Sequence, residues 1–73
     1  MITFHSRGLS YRFLGEYNKA IADFNKSIKI NPKNADVYFN RSRVLEKMGE
    51  YSKSKKDLRK SKYLELKQKT LKK

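Results

Sequence analysis

The chain is 73 residues long and carries 19 Lys or Arg against 7 Asp or Glu, a formal net charge of +12. This length predicts one small domain, and the charge favours acidic partners or simply keeps the chain in solution. There is no cysteine and one histidine, His5, which excludes disulfides, cysteine–metal sites and a histidine cluster. No apolar run reaches the ~18 residues of a membrane span and no signal peptide is evident, so we expect an intracellular, cytoplasmic location.

The first half of the chain predicts two helices. Residues 2–14 form the first, which Gly15 ends because glycine adopts the left-handed conformation at little cost. Its inner face has helical spacing and comprises Phe4, Gly8, Tyr11 and Leu14. Asn18 is a candidate N-cap for the second helix. The inner face of that helix comprises Ala20, Ile21, Phe24, Ser27 and Ile28. A turn at residues 31–34 ends it, because Pro32 has no N–H to donate.

The second half repeats this pattern after 34 residues. Gly15-Glu16-Tyr17 returns as Gly49-Glu50-Tyr51, and nine identical pairs align at this shift, among them Arg7/Arg41 and Asp23/Asp57. The third helix is predicted over residues 35–48, and Ser52 is a candidate N-cap for the fourth. Their inner faces comprise Tyr38, Ser42 and Leu45, then Ser54, Leu58, Ser61 and Leu64. A period of this length indicates an array of helix-turn-helix repeats.

These motifs resemble the tetratricopeptide repeat (TPR) family over nearly the whole chain. The first unit carries the family pattern at Phe4, Gly8, Tyr11, Gly15, Tyr17, Ala20, Phe24 and Pro32, and the second at Tyr38, Leu45, Gly49, Tyr51 and Leu58. The second unit departs from it with Ser42 for glycine, Ser54 and Ser61 for alanine, and Leu66 for the closing proline.

The resemblance implies an all-α fold. Two antiparallel hairpins, residues 1–34 and 35–68, would stack as a short right-handed superhelix, and residues 69–73 would extend the last helix as a basic tail. The implied role is that of a scaffold that binds a partner protein or peptide on its concave face, without catalysis or cofactor. Because the chain starts at the first residue of a repeat, we expect it to be part of a larger TPR protein. Two repeats are fewer than the three usually needed, which predicts a marginal fold or self-association.

The fourth helix has the residues of a terminal cap. Ile21 and Ile28 lie beside the inner face of the second helix, where they can meet the next unit, but their counterparts are Lys55 and Lys62. A further repeat would bury both lysines, which is costly without partners. We therefore expect these two side chains to point to solvent.

The concave face is the first candidate site. It is expected to be lined by the first and third helices, and Ile2 and Asp36 are expected to belong to it. The predicted peptide-binding residues are His5, Leu9, Arg12, Phe13, Phe39, Asn40, Arg43 and Lys47. Large apolar residues beside cations predict an acidic-hydrophobic peptide as partner. Alternatively, Leu9 and Phe13 widen the core or meet a preceding repeat. Of the residues with which some family members hold a chaperone's C-terminal carboxylate, only Asn40 matches, so that ligand is not expected.

The last helix is the second candidate site. Residues 53–73 carry ten Lys or Arg against two acids, a net +8. The residues predicted to bind an anionic partner are Lys55, Lys56, Arg59, Lys60 and Lys62. Weak binding to nucleic acid or another anionic surface is the alternative function, and a solvated cap is the alternative to both. The sequence shows no metal-ligand spacing, nucleophile–base pair or phosphate loop that would predict an enzyme.

Overall fold

The computed structural model describes residues 3–71 and shows four α-helices in that range. They are α1 (Phe4–Phe13), α2 (Tyr17–Ile30), α3 (Ala35–Lys47) and α4 (Tyr51–Leu71). α1 packs against α2 and α3 against α4, and contacts of α3 with α2 and α1 join the two hairpins. The predicted all-α class and the two helix-turn-helix hairpins are confirmed. Within the described range, none of the helices combines the length and apolarity needed to cross a bilayer.

The two glycine turns have the same hydrogen-bonded geometry. Gly15 and Gly49 have φ values of 79° and 83°. The N–H of Glu16 donates to the carbonyl of Tyr11 at 2.9 Å, and the N–H of Gly15 donates to that of Arg12 at 3.1 Å. The corresponding bonds around Gly49 have the same lengths, 2.9 and 3.1 Å. This is the Schellman motif, which satisfies the last carbonyls of a helix and needs a residue that tolerates positive φ.

The predicted N-caps of α2 and α4 are wrong. These helices begin at Tyr17 and Tyr51, so Asn18 and Ser52 lie inside their first turns. The tight glycine turn leads directly into the next helix, and the N-cap position of α2 is Glu16, whose side chain makes no capping hydrogen bond. Side-chain caps occur instead at α1 and α3, where Thr3 accepts from the N–H of Ser6 at 3.0 Å and Asn34 from that of Asp36 at 3.1 Å.

The core lies where the second hairpin meets the first. Its centre consists of four side chains with no exposed surface, Ala20, Phe24, Val37 and Val44. Half-buried residues of the first hairpin pack against it, namely Leu9, Tyr11, Tyr17, Ile21 and Ile28. Sequence analysis placed Tyr38, Ser42 and Leu45 correctly inside but missed both valines. The valines lie beside the inner face of α3. They were missed because they pack against α2 of the other hairpin and not against α4.

Three residues predicted on inner faces are exposed instead. Phe4 and Leu58 are each more than one third exposed, and Leu14 is mostly exposed. Leu14 is the C-cap of α1, so it projects beyond the helix–helix contact. Leu58 lies on α4, the last helix of the stack, and has no following helix against it in the described range.

α4 continues past the point at which α2 turns. It has 21 residues against 14 in α2. Leu64 is buried on this continuation, and the side-chain amide of Gln68 donates to the carbonyl of Lys33 at 2.8 Å. The predicted run-on of the last helix is therefore confirmed as far as Leu71. The predicted concave position of Ile2 and the end of the basic tail at residues 72–73 lie outside the described residues.

Candidate peptide-binding site

Asn40 joins α1 and α3 into one surface. Its side-chain nitrogen lies 3.1 Å from Nε2 of His5, and its side-chain oxygen accepts a hydrogen bond of 3.5 Å from Nη1 of Arg12. A guanidinium can only donate, so the amide oxygen must face Arg12 and the amide nitrogen must face His5. Asn40 therefore donates to Nε2, which assigns the ring proton of a neutral His5 to Nδ1.

We use the name α1–α3 surface for the set of eight predicted peptide-binding residues. Four are on α1 and four on α3, in the order His5, Leu9, Arg12, Phe13, Phe39, Asn40, Arg43 and Lys47. The helices carrying them are in contact. Residues 35 and 28 positions apart along the chain are hydrogen-bonded there, so Asn40 of α3 is joined directly to His5 and Arg12 of α1.

Two phenylalanines give this surface exposed apolar area. Phe39 is 43% exposed and Phe13 is 78% exposed. The guanidinium of Arg12 lies over the Phe13 ring, 5.5 Å from its centroid, within the range of a cation–π contact. Arg43 lies one turn after Phe39 on the same side of α3. The surface thus offers aromatic faces next to cations, an arrangement that can receive apolar side chains alternating with carboxylates.

The other members of the surface differ in their availability. Leu9 is half-buried and packs against the core, as the alternative interpretation of this residue expected. The guanidinium of Arg43 lies 3.7 Å from the carboxylate of Glu46. Both side chains of this pair are about half exposed, so water screens the contact and a ligand carboxylate can replace it at little cost. Lys47 is exposed at the end of α3.

In each hairpin an arginine–aspartate pair joins the two helices, and sequence analysis missed both pairs. Arg7 donates two hydrogen bonds to the buried carboxylate of Asp23, at 2.8 and 2.9 Å. Arg41 does the same to Asp57 at 2.7 and 2.8 Å, and its Nη1 reaches Asn25 of α2 at 2.9 Å. The signal was present: both units have an arginine and, 16 residues later, an aspartate.

The hydrogen bonds in these pairs favour the charged forms of Arg7, Asp23 and Arg41. The hydrogen bond from Arg7 holds the pKa of Asp23 below its ordinary value, although burial of the carboxyl opposes that shift. Hydrogen bonds to the aspartates likewise raise the pKa of both Arg7 and Arg41. Forked arginine–carboxylate contacts fix geometry as well as charge. We therefore assign these four residues to the fold and not to ligand binding.

The second candidate site is the solvent side of α4. All five residues predicted to bind an anionic partner are exposed: Lys55, Lys56, Arg59, Lys60 and Lys62. Tyr63 lies between two cations, with Lys60 and Lys67 at 5.8 and 5.7 Å from its ring centroid. Across the described residues, no three His, Cys, Asp or Glu side chains converge as metal ligands would.

Comparison with known proteins places these features in a family. A model described as "TPR repeat" matches residues 8–49, and one described as "Tetratricopeptide repeat" matches residues 35–68. A similar curated protein is the tetratricopeptide repeat and J domain-containing co-chaperone DNJ1 of Cryptococcus neoformans, 29% identical over 56 residues. That alignment covers 77% of this chain but only 11% of the relative's length. The family matches and the two glycine-turned hairpins show that the chain belongs to the tetratricopeptide repeat family.

Proposed function

We propose that this chain binds an acidic-hydrophobic peptide segment of a partner protein on the concave α1–α3 surface. TPR repeats are in general non-catalytic modules for protein–protein interaction. The family therefore supports a binding role, and we propose no reaction for this chain.

The exposure of Phe39 is the observation that carries the proposal. A phenylalanine 43% exposed keeps part of its apolar area available to a ligand. Arg43 follows one turn later, and its exposed pairing with Glu46 leaves the cation accessible. An apolar anchor next to a cation suits a peptide in which hydrophobic and acidic residues alternate. The exposed Phe13 under Arg12 offers a second pairing of the same kind.

The hydrogen-bonded bridge through Asn40 supports a preorganised site. It holds α1 and α3 together, so a ligand that contacts both helices has less conformational freedom to remove on binding. With two repeats the contact area is small, and we expect micromolar affinity at best.

The test compares Phe39→Ala with Arg43→Glu against a labelled acidic-hydrophobic peptide, followed by fluorescence anisotropy. Phe39→Ala should weaken binding by roughly 1–2 kcal/mol through lost contact area, with little salt dependence. Arg43→Glu should weaken it through charge, and that effect should shrink as salt rises. The matched controls are Tyr63→Ala, an exposed aromatic on α4, and Lys56→Glu, an exposed cation on α4. Neither control should change the affinity more than slightly.

Two outcomes contradict this proposal. If Phe39→Ala abolishes the helical circular dichroism signal, Phe39 belongs to the core and the surface loses its anchor. If both site variants bind like the parent while the α4 controls lose affinity, the peptide binds elsewhere.

The second candidate function is weak, sequence-independent binding of nucleic acid by α4. It is supported by the five exposed cations and by Tyr63 between Lys60 and Lys67. One aromatic is too few for a stacking platform, so the contacts would be mainly to phosphates. Such binding should fall steeply between low and physiological salt. A sequence-selective, salt-resistant complex would reverse the order of the two candidates.

A further inference from the structure

The α2–α3 junction shows what the outer side of a repeat's second helix looks like when another helix covers it. Ile21 and Ile28 of α2 pack against the core that contains Val37 and Val44 of α3. Between the isoleucines, Asn25 accepts the hydrogen bond of 2.9 Å from Arg41. The covering helix thus meets two apolar residues and one neutral acceptor.

The equivalent side of α4 has a different chemistry. A shift of 34 residues converts Ile21, Asn25 and Ile28 into Lys55, Arg59 and Lys62. All three cations are exposed. Beside them lie Leu58, 37% exposed, and Tyr51, 63% exposed, at the positions of Phe24 and Tyr17. We call these five residues the α4 outer face. It combines three positive charges at helical spacing with a flank of apolar area.

A second copy of this chain does not fit the α4 outer face. A copy stacked as α3 stacks on α2 would place its α1 there, with Thr3, Arg7 and Ser10 in the positions of Val37, Arg41 and Val44. Arg7 would then oppose Arg59 at the position where Arg41 meets Asn25. Two like charges at a contact select against that partner.

We propose that the α4 outer face docks an acidic amphipathic helix of another protein, stacked on α4 as α3 stacks on α2. Arg41 reaches Asn25 across antiparallel helices, so the partner residue opposite Arg59 is fixed by that geometry. Carboxylates four residues before it and three residues after it on the docked helix lie toward Lys62 and Lys55, as the i, i+4, i+7 spacing of Val37, Arg41 and Val44 implies.

The flanking residues define the apolar part of the partner. In α3 the residues following Val37 and Val44 are Tyr38 and Leu45, and both are buried. We place apolar residues at the same positions of the docked helix, i+1 and i+8, so that it carries an apolar side next to its carboxylates. The stems of the lysines can lie along the partner while their charges meet carboxylates. This site is separate from the peptide site proposed on the α1–α3 surface and does not depend on it.

The probe is a synthetic helical peptide with Glu at i, i+4 and i+7 and Leu at i+1 and i+8. Its control has Gln at the three Glu positions. Binding to the full chain is measured by fluorescence anisotropy. The double variant Lys55→Glu/Lys62→Glu should lower the affinity about tenfold or more, since two favourable contacts become repulsive. The matched variant Lys56→Glu/Lys60→Glu changes the net charge by the same amount on the same helix. It should lower the affinity for the peptide less than about threefold. All four lysines are exposed, so both variants should retain the helical circular dichroism signal.

The remaining outcomes overturn the proposal. Equal losses of peptide affinity in the two double variants would show that the acidic peptide is attracted to the overall positive charge of α4 and not to the α4 outer face. Tighter binding of a DNA duplex, with the same equal losses, would make α4 a phosphate-binding helix. Undiminished binding of the Gln peptide would remove the role of the carboxylates. Loss of binding on Phe39→Ala/Arg43→Glu, with the α4 variants unaffected, would place the acidic helix on the α1–α3 surface instead.

Discussion

Gly8 and Phe24 show how one close contact constrains two residues. A Cβ built on Gly8 lies 2.6 Å from Cε1 and 2.8 Å from Cδ1 of Phe24, which has no exposed surface. In the second hairpin the equivalent pair is Ser42 and Leu58. There Ser42 is 2% exposed, so its side chain is accommodated inside the hairpin, and leucine replaces the aromatic ring at the position of Phe24.

This contact predicts the effect of Gly8→Ala. Overpacking against Phe24 should cost about 1–3 kcal/mol, of which the better helix propensity of alanine returns about 1 kcal/mol. The net loss should appear as a lower urea midpoint in circular dichroism. The control is the same substitution in a Phe24→Leu background, where the smaller side chain should reduce the cost of the added methyl. An equal loss in both backgrounds would show that steric contact with Phe24 is not the cause.

Asp23 predicts a pH dependence of folding. The hydrogen bond from Arg7 lowers the folded-state pKa of Asp23, so the unfolded chain takes up this proton first as pH falls. The stability that this carboxylate contributes is therefore fully present above its unfolded pKa, near 4, and is lost as pH falls through the folded value. Asp23→Asn removes this titration. The gap in urea midpoint between parent and Asp23→Asn should narrow from pH 7 to pH 3, and a constant gap would contradict the linkage.

At the scale of single elements, the continuation of α4 acts as a clamp on the α2–α3 turn. Leu64 is 7% exposed, whereas the equivalent residue of α2, Ile30, is 73% exposed. Gln68 then ties the helix to the carbonyl of Lys33. The same repeat position is thus inside the fold in one hairpin and outside it in the other, because α4 continues where α2 turns.

This difference provides a matched pair of substitutions. Leu64→Ala should cost about 2–3 kcal/mol, because it removes buried apolar volume and leaves a cavity. Ile30→Ala should change stability by less than about 0.5 kcal/mol, because its side chain is mostly in water. Both are measured as thermal and urea midpoints. Similar losses at the two positions would mean that α4 does not clamp the turn.

The sequence predicted the elements that depend on local chemistry. Gly15 and Gly49 identified both turns because positive φ strongly favours glycine. The sequence did not predict Val37 and Val44 as core residues, because their burial depends on how one hairpin packs against the other. Among the proposed site residues, the exposure of Phe39 could be expected from its position next to the inner stripe of α3. The bridge from His5 through Asn40 could not be expected, because it joins residues 35 positions apart and depends on the distance between α1 and α3.

At the scale of the whole molecule, the two ends of the stack carry different residues from the junction in the middle. The junction buries Val37 and Val44. At the α1 end, the residues equivalent to these valines are Thr3 and Ser10, and both are exposed. At the α4 end, the residues equivalent to Ile21 and Ile28 are Lys55 and Lys62. The positions that are valine or isoleucine at the junction are thus polar or charged at both ends, which disfavours the stacking of two copies. The like charges of Arg7 and Arg59 oppose it further.

We therefore expect the parent chain to sediment as a monomer and a repaired chain to self-associate. Lys55→Ile, Arg59→Asn and Lys62→Ile together recreate the outer side of α2, including the neutral acceptor for an arginine. Thr3→Val and Ser10→Val recreate the matching side of α3. The chain with all five changes should form concentration-dependent oligomers in sedimentation velocity, because its ends then reproduce the α2–α3 junction without closing on themselves. The chain with only the three α4 changes is the control and should associate less. If the parent already forms oligomers, or if the five changes leave it monomeric, the end residues do not control stacking.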